Sequence, residues 1–283
     1  MDLMNCHGRL LDLRVPRIMG VLNITPDSFT DGGKYQTIET CFRQTEKMLS
    51  AGAYIIDVGA MSSKPGNNII SPQDEWKRLE AILPKLINYF PEVFFSIDTV
   101  HSQTAALAIE AGAHIINDIS GFNIDEKMPL LLAQKPVAYV LMHIQGTPQN
   151  MQQNPVYEDV VKEVIDYFVQ KIAALERHNF FQIILDPGFG FGKTVTHNWE
   201  LLQKLSTITL LRKPILVGIS RKSFINRTLQ IQWSESLPAN TAIHLFSLMK
   251  GARILRAHEV LPAMQAIKIA EELQSLPAYE TLD

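Results

Sequence analysis

The sequence predicts an α/β fold closed as a (β/α)8 TIM barrel, one domain over residues 1–283. Three observations predict it. Eight short apolar runs recur along the chain, stretches of helical periodicity separate them, and nearly every run ends in a polar or charged residue. Strands buried on both faces read as continuous apolar runs, and their alternation with helices implies a parallel sheet. A doubly wound open sheet uses similar parts, but eight units favour closure. The chain of 283 residues fits one such barrel, for which about 250 residues is typical.

The first run, Arg17–Leu22 (RIMGVL), ends at Asn23 and is followed by the non-periodic stretch Ile24–Gln36 and a helical Thr37–Ser50. The second, Tyr54–Ile56, meets Asp57; another non-periodic stretch, Gly59–Ser71, then precedes a helical Pro72–Tyr89. Val93–Ile97 (VFFSI) ends at Asp98 before a helix over Ser102–Glu110, and His114–Ile116 ends at Asn117 and Asp118 before Asp125–Gln134. Pro136–Met142 (PVAYVLM) meets His143 ahead of Tyr157–His178, and Gln182–Leu185 meets Asp186 ahead of His197–Leu205. Pro214–Ile219 (PILVGI) meets Ser220-Arg221-Lys222, with Leu237–Lys250 beyond it; Arg253–Leu255 meets Arg256 and His258, followed by Leu261–Gln274. Two Ala-Gly-Ala sequences, at Ala51–Ala53 and Ala111–Ala113, each close a helix as a C-terminal glycine should and lead at once into an Ile-Ile pair. That is the helix-to-strand return of a βαβ unit, seen twice.

On a barrel, the loops after strands overhang the C-terminal face, where reactive groups sit. The two stretches rich in Gly, Pro, Ser and Thr, Ile24–Gln36 and Gly59–Ser71, are long enough to be functional and are expected to be mobile lids. A composition of 46% hydrophobic and 19% charged residues is that of an ordinary globular protein. The formal net charge of -3 provides no global basic field, so neither nucleic acid nor an anionic membrane is expected as a partner. No stretch approaches the roughly 18 apolar residues of a membrane span. Cys6 and Cys41 form neither a disulfide framework nor a ligand cluster, which suits a reducing compartment. Met1–Leu13 carries Asp2, Arg9 and Asp12 without an unbroken apolar stretch, so no signal peptide is expected and the cytoplasm is the expected location.

Asp98, Asn117, Asp186 and Lys222 end the third, fourth, sixth and seventh runs and would converge at the barrel mouth. Buried carboxylates are costly unless paired. A flat heteroaromatic ligand with an amidine-like N–H edge would supply partners for the carboxylates, while the amide and ammonium serve ring nitrogens and oxygen. For one isolated Asp, turn capping or pairing with a neighbour is the better reading; for four polar strand ends, ligand binding is. Arg256 and His258 alternate and so point to one side. With Asn23 across the mouth they would hold a phosphate or pyrophosphate, Mg2+ neutralising the rest. Ser220-Arg221-Lys222-Ser223 leads toward a helix, whose N-terminal N–H groups also favour anions.

Other motifs fail. Pro187–Thr194 (PGFGFGKT) ends like a phosphate-binding P-loop, but Pro187 replaces the required first glycine, and Lys193 stands where G-x-G-x-x-G needs its third. It reads as a flexible loop beside Asp186. Neither zinc hydrolysis nor a Ser-His-Asp esterase is expected, since the sequence lacks H-E-x-x-H, a Cys cluster and G-x-S-x-G. His143 and His258 sit at strand ends; His101, His114, His178, His197 and His244 read as surface or packing residues, and Tyr167, Phe168 and Phe246 as core.

Asn23–Gly33 (NITPDSFTDGG) resembles the signature of the dihydropteroate synthase family. So do Ile55–Gly59, Ser96–Thr99, Ile116–Asp118, Met142-His143, Asp186–Lys193 (DPGFGFGK), Gly218–Ser223 and Arg256–His258, in order over most of the chain. The family has the (β/α)8 fold and joins p-aminobenzoate to 6-hydroxymethyl-7,8-dihydropterin diphosphate, releasing pyrophosphate and 7,8-dihydropteroate for folate synthesis. The resemblance implies that Asp98, Asn117, Asp186 and Lys222 bind the pterin. It implies that Asn23 coordinates Mg2+ beside a pyrophosphate held by Arg256 and His258, and that Ser223 receives the p-aminobenzoate carboxylate. Phe29, Asp31, Ser63, Lys64 and Pro65 would belong to two loops closing over the second substrate. The implied catalytic set is Asp98, Lys222, Arg256, His258 and Asp31, in a homodimer.

One segment departs from the pattern. The family's second loop usually reads Gly-Glu-Ser-Thr-Arg-Pro-Gly, and here it is Ala60-Met61-Ser62-Ser63-Lys64-Pro65-Gly66. Ser63 keeps a hydroxyl, Lys64 keeps a charge without the planar fork, Met61 removes a carboxylate, and Ala60 forbids an easy positive φ. Two other readings use a similar barrel. A pterin-dependent methyltransferase would share the pterin-binding Asp and Asn but should not need Thr25–Gly33 or the Arg256/His258 pair. A non-catalytic pterin-binding paralogue is supported by the altered second loop alone.

Overall fold

A computed structural model describes residues 2–24, 38–61 and 66–275. Its strands are β1 (Leu3–Cys6), β2 (Arg9–Asp12), β3 (Arg17–Asn23), β4 (Ile55–Gly59), β5 (Phe94–Asp98), β6 (Ile115–Asp118), β7 (Ala138–Met142), β8 (Ile183–Asp186), β9 (Ile215–Val217) and β10 (Ala252–Ala257). β3 to β10 form a closed parallel barrel in chain order, β10 pairing with β3 through Ile254 opposite Arg17 and Arg256 opposite Met19. The expected (β/α)8 architecture is therefore present.

Around it run α1 (Ile38–Ser50), α2 (Pro72–Leu79), α3 (Leu83–Tyr89), α4 (Ser102–Glu110), α5 (Met128–Leu132), α6 (Val160–Arg177), α7 (Val195–Gln203), α8 (Ser223–Leu229), α9 (Leu237–Met249) and α10 (Val260–Ser275). The stretch 72–89, read as one helix, is two: Pro84 sits in the first turn of α3, where its missing N–H costs nothing and a new helix begins. α8, the helix toward which Ser220-Arg221-Lys222-Ser223 leads, is short at 7 residues and starts at Ser223. Phe246 is 40% exposed and so is not core, whereas Phe168 is buried. Among the described residues no helix is long and apolar enough to cross a membrane.

The sequence reading missed the β1–β2 hairpin. Its two-residue turn, His7-Gly8, has φ of 52 and 78, the positive pair a tight hairpin turn requires. Met4, Cys6, Leu11 and Leu13 from this segment cover the N-terminal end of the barrel, against the inward Met19, Ile55, Phe94, Ile115, Ile184, Leu216 and Ile254. The Arg9 guanidinium locks it there, donating to the carbonyls of Pro91, Glu92 and Val93 and lying 4.3 Å from the Phe94 ring centre.

Both faces of the strands are buried, which is why the runs read as uniformly apolar. Side chains nevertheless alternate with period two. Ile56, Val58, Phe95, Ile97, Ile116, Leu185 and Leu255 face the helices. Counting in twos from the inward residues above places Asn23, Asp57, Asp98, Asn117, Asp186, Gly218 and Arg256 inside, at or near the C-terminal mouth. The same count turns Asp118 outward. It is fully buried there and accepts from the Ser120 and Phe122 N–H groups, the Ser120 hydroxyl and, at 2.7 Å, the Tyr139 hydroxyl.

Candidate active site

A small cavity opens at this mouth, with Asn117, Asp186, Lys222 and Arg256 as its polar lining and Phe189 and Phe191 among its walls. Asp186 is held by the Gly188 N–H, which donates to its Oδ1 at 2.8 Å. The Lys222 ammonium lies 3.9 Å from the centre of the Phe191 ring, a cation–π seat on the cavity wall.

Asp57, which the sequence reading left without a role, ties the floor together. It is fully buried. One of its oxygens, Oδ2, accepts from Asn117 Nδ2 at 3.0 Å and from Arg256 Nε at 2.7 Å. Arg256 Nη2 then donates to Asp98 Oδ2 at 3.0 Å. Arg256 thus bridges two carboxylates inside the mouth, beyond the anion-holding role read from its spacing. The signal for Asp57 was available: the Tyr54–Ile56 run ends in it just as the next run ends in Asp98.

Burial and these charges set the ionisation. Burial pushes the Asp98 carboxyl up to about 7, against the pull of Arg256 and with Asp57, Glu75 and Asp118 reinforcing it. Burial also raises Asp186, opposed by the Gly188 N–H and by Lys222. Lys222 is brought down to about 8 by burial and by Arg256, with Asp186 and Asp98 opposing. Burial would lower Arg256, but Asp57 and Asp98 outweigh it and keep the guanidinium above its ordinary value. His258 is brought down to about 4 by burial, Arg221 and Arg256. At neutral pH it is therefore an uncharged hydrogen-bonding group beside a cation, not half of a cationic pair.

The turn after β9 is fixed to the end of β10. The His258 N–H donates to Ser220 Oγ at 3.3 Å, Ser220 Oγ donates to Glu259 Oε2 at 3.0 Å, and Arg221 donates twice to Glu259 Oε1. Ser223 is the exposed first residue of α8. Asn23 ends β3, and a side chain on Gly59 would come 3.3 Å from its Oδ1 and 3.5 Å from the Asp98 Cβ. The glycine thus lets Asn23 and Asp98 pack closely against the end of β4.

Phe29 and Asp31 in the first loop, and Ser63, Lys64 and Pro65 in the second, lie outside the described residues. So does most of the first proposed lid and the centre of the second. The flanks of the second loop are described. Ala60 does not adopt a positive φ, so its substitution for glycine brings no strain, and its carbonyl accepts from Arg78 Nη1 at 2.8 Å. Met61 is 6% exposed and joins an apolar cluster with Val100, Ile119, Met142, Ile144, Met151 and Phe191. A carboxylate in that cluster would need a partner to offset its desolvation, whereas the methionine needs none. Gly66 N–H donates to the Pro148 carbonyl at 3.1 Å, tying the loop's far end to the segment after β7.

The family described as pterin binding enzyme matches residues 19–258. A dihydropteroate synthase of Escherichia coli (strain K12) is 39% identical over 267 residues, 94% of this chain and 94% of its own length. Among solved structures, the Yersinia pestis dihydropteroate synthase with a sulfonamide drug complex superposes with a TM-score of 0.91 at 36% identity, covering 97% of this chain and 100% of its own. The Xanthomonas albilineans dihydropteroate synthase with 4-aminobenzoic acid gives a TM-score of 0.90 at 33% identity, covering 98% of this chain and 99% of its own.

Proposed function

This chain belongs to the pterin binding enzyme family, and we propose that it is a dihydropteroate synthase, a transferase acting in folate biosynthesis. It joins p-aminobenzoate to 6-hydroxymethyl-7,8-dihydropterin diphosphate, giving 7,8-dihydropteroate and pyrophosphate. The observation that carries this reading is the lining of the cavity, where the carboxylate of Asp186, the amide of Asn117, the ammonium of Lys222 and the guanidinium of Arg256 meet the Phe189 and Phe191 side chains. A pterin has hydrogen-bonding edges and apolar faces, and this lining offers groups for both.

The chemistry follows from the charges. The aniline nitrogen forms a bond to the pterin CH2 carbon while the C–O bond to the diphosphate breaks; the nitrogen gives up a proton and pyrophosphate leaves with the electron pair. Positive charge spreading into the pterin ring as C–O breaks is stabilised by ionised Asp98. Lys222 and Arg256 stabilise the negative charge growing on the diphosphate, and neutral His258 donates a hydrogen bond to it. Such preorganised electrostatics commonly supply the largest catalytic term. Ser223, at the start of α8, receives the p-aminobenzoate carboxylate, and Phe29, Asp31, Ser63, Lys64 and Pro65 close over that substrate. Sulfonamides, which imitate p-aminobenzoate, compete at the same place.

We read Mg2+ as an ion shared with the substrate. Asn23 offers a hard oxygen donor at the C-terminal end of β3, whereas among the described residues no group of three or more His, Cys, Asp or Glu side chains could hold an ion alone. Mg2+ typically takes one or two protein ligands plus phosphate oxygens and water. Asn23 would hold it, and when bound it supplies positive charge to the departing diphosphate. We further read residues 1–283 as one domain, acting in the cytoplasm as a homodimer. Exposed Phe246 and Met249, one turn apart on α9, support an apolar contact between copies, which sedimentation would test.

The decisive experiment incubates the purified protein with Mg2+, the pterin diphosphate and p-aminobenzoate, and follows pyrophosphate and dihydropteroate. Stoichiometric formation of both is expected. Tight pterin binding without product would overturn the synthase reading in favour of a non-catalytic pterin-binding protein.

A further inference from the structure

We propose that Lys193 is a positioning residue for the pterin cavity, acting from outside it by knotting the Pro187–Gly192 turn onto the end of β7. This rests on the synthase reading above. The segment contradicts the expectation of a flexible loop. Lys193 is 3% exposed, and its ammonium donates to the Gly188 carbonyl at 3.0 Å, the Phe191 carbonyl at 3.1 Å and His143 Nδ1 at 2.9 Å. The His143 carbonyl lies at 3.5 Å as a fourth, longer contact, so the donors of the group are fully taken up by its own loop and the end of β7. The lysine of a phosphate-binding loop reaches outward to its ligand. This one turns back on its own loop, which is why the PGFGFGKT stretch resembles that motif without sharing its purpose.

The turn is threaded closely enough for such a knot to matter. A Cβ on Gly188 (φ +70) would fall 1.9 Å from the His143 carbonyl oxygen, and one on Gly190 (φ +79) would fall 3.0 Å from Lys222 Cδ. The loop therefore runs between the end of β7 and the Lys222 stem with no room for side chains there. Its other polar groups are also tied: Asn198 Oδ1 accepts from the Gly190 N–H, and the Tyr157 hydroxyl donates to the Gly192 carbonyl, both at 2.7 Å. What this places at the cavity is Phe189 and Phe191, and the Phe191 ring in turn seats the Lys222 ammonium. Burial brings the Lys193 amine down to about 7, with Asp186, at the start of the same turn, opposing and Lys222 adding to the fall. Removing the ammonium would leave two buried carbonyls and a buried imidazole nitrogen without their donor, and such groups are costly to abandon. The turn would shift to rehydrate them, carrying the cavity wall with it.

The test is calorimetric binding of 6-hydroxymethyl-7,8-dihydropterin diphosphate with Mg2+ and no p-aminobenzoate, alongside steady-state kinetics for both substrates. Lys193→Met should weaken pterin diphosphate binding, and raise its KM, by roughly ten- to a hundredfold, while the KM for p-aminobenzoate moves less than about twofold. His143→Leu, which removes one acceptor and leaves the lysine, serves if Lys193→Met does not fold and should lose roughly three- to tenfold. His143→Asn keeps an acceptor at that place and should bind more tightly than His143→Leu. Pterin binding within about twofold of wild type in both Lys193→Met and His143→Leu, or a fall in kcat alone with both KM values unmoved, would overturn the inference. Wild-type protein that binds no pterin diphosphate overturns the synthase reading as well; wild-type binding matched by the variants overturns this inference alone.

Discussion

Replacing Asp57 by Asn keeps the shape of the side chain and removes its charge. The oxygen that accepts from both Asn117 Nδ2 and Arg256 Nε would then be neutral. Breaking a fully buried ion pair by removing one partner costs roughly 3–5 kcal/mol. Here the loss is smaller, because Arg256 is 21% exposed and keeps Asp98 as a second partner at 3.0 Å. One charge-assisted hydrogen bond, about 2 kcal/mol, is the appropriate magnitude. For a chain of 283 residues that lowers the thermal midpoint by roughly 3–4 °C. Function should suffer too, since Arg256 would collapse onto Asp98 and Asn117 would lose its anchor on the cavity floor. Pterin diphosphate affinity should fall about tenfold, equivalent to 1.4 kcal/mol. Differential scanning calorimetry and pterin titration measure the two effects in one preparation. If Asp57→Asn melts and binds like the wild type, the bridging account of the floor is wrong.

Three further outcomes follow from the same geometry. Asp98→Asn should lower the rate of pyrophosphate release much more than it weakens pterin binding, because the charge matters most when the ring is cationic; equal losses in rate and affinity would count against that role. With Asp98 ionised only above about 7 and Lys222 charged only below about 8, kcat/KM for the pterin substrate should rise through the first value and fall through the second. Lys222→Met should abolish the alkaline limb and spare the acid one, and a pH profile unchanged by that substitution would refute the assignment. Tyr139→Phe removes one of four hydrogen bonds to buried Asp118 and should cost about 1–2 kcal/mol in denaturant unfolding while leaving both KM values alone.

The barrel was legible because its strands are buried on both faces. Each run had to be apolar throughout, so a terminal Asp98, Asn117, Asp186 or Arg256 stood out against it. Asp57 stood out equally but was passed over, since no ligand role suggested itself for a carboxylate whose partner is Arg256 from six strands later in the chain. The hairpin at Leu3–Asp12 was missed for a different reason. Its strands have 4 residues each, too few for a periodic signal, and its apolar side chains make sense only beneath the finished barrel. The break between α2 and α3 was marked by Pro84 but masked by an apolar pattern that continued across it.

Local pattern alone thus determined which segments would become strands, that they would lie parallel, and which end of each would bear chemistry, because burial imposes those rules on residues near one another in the chain. Tertiary structure alone decided that Arg256 pairs with Asp57 and Asp98, that His258 is uncharged at neutral pH, and that Lys193 serves its own turn. Each of these depends on distance and desolvation between groups brought together by closure of the barrel. Spacing along a chain carries neither quantity.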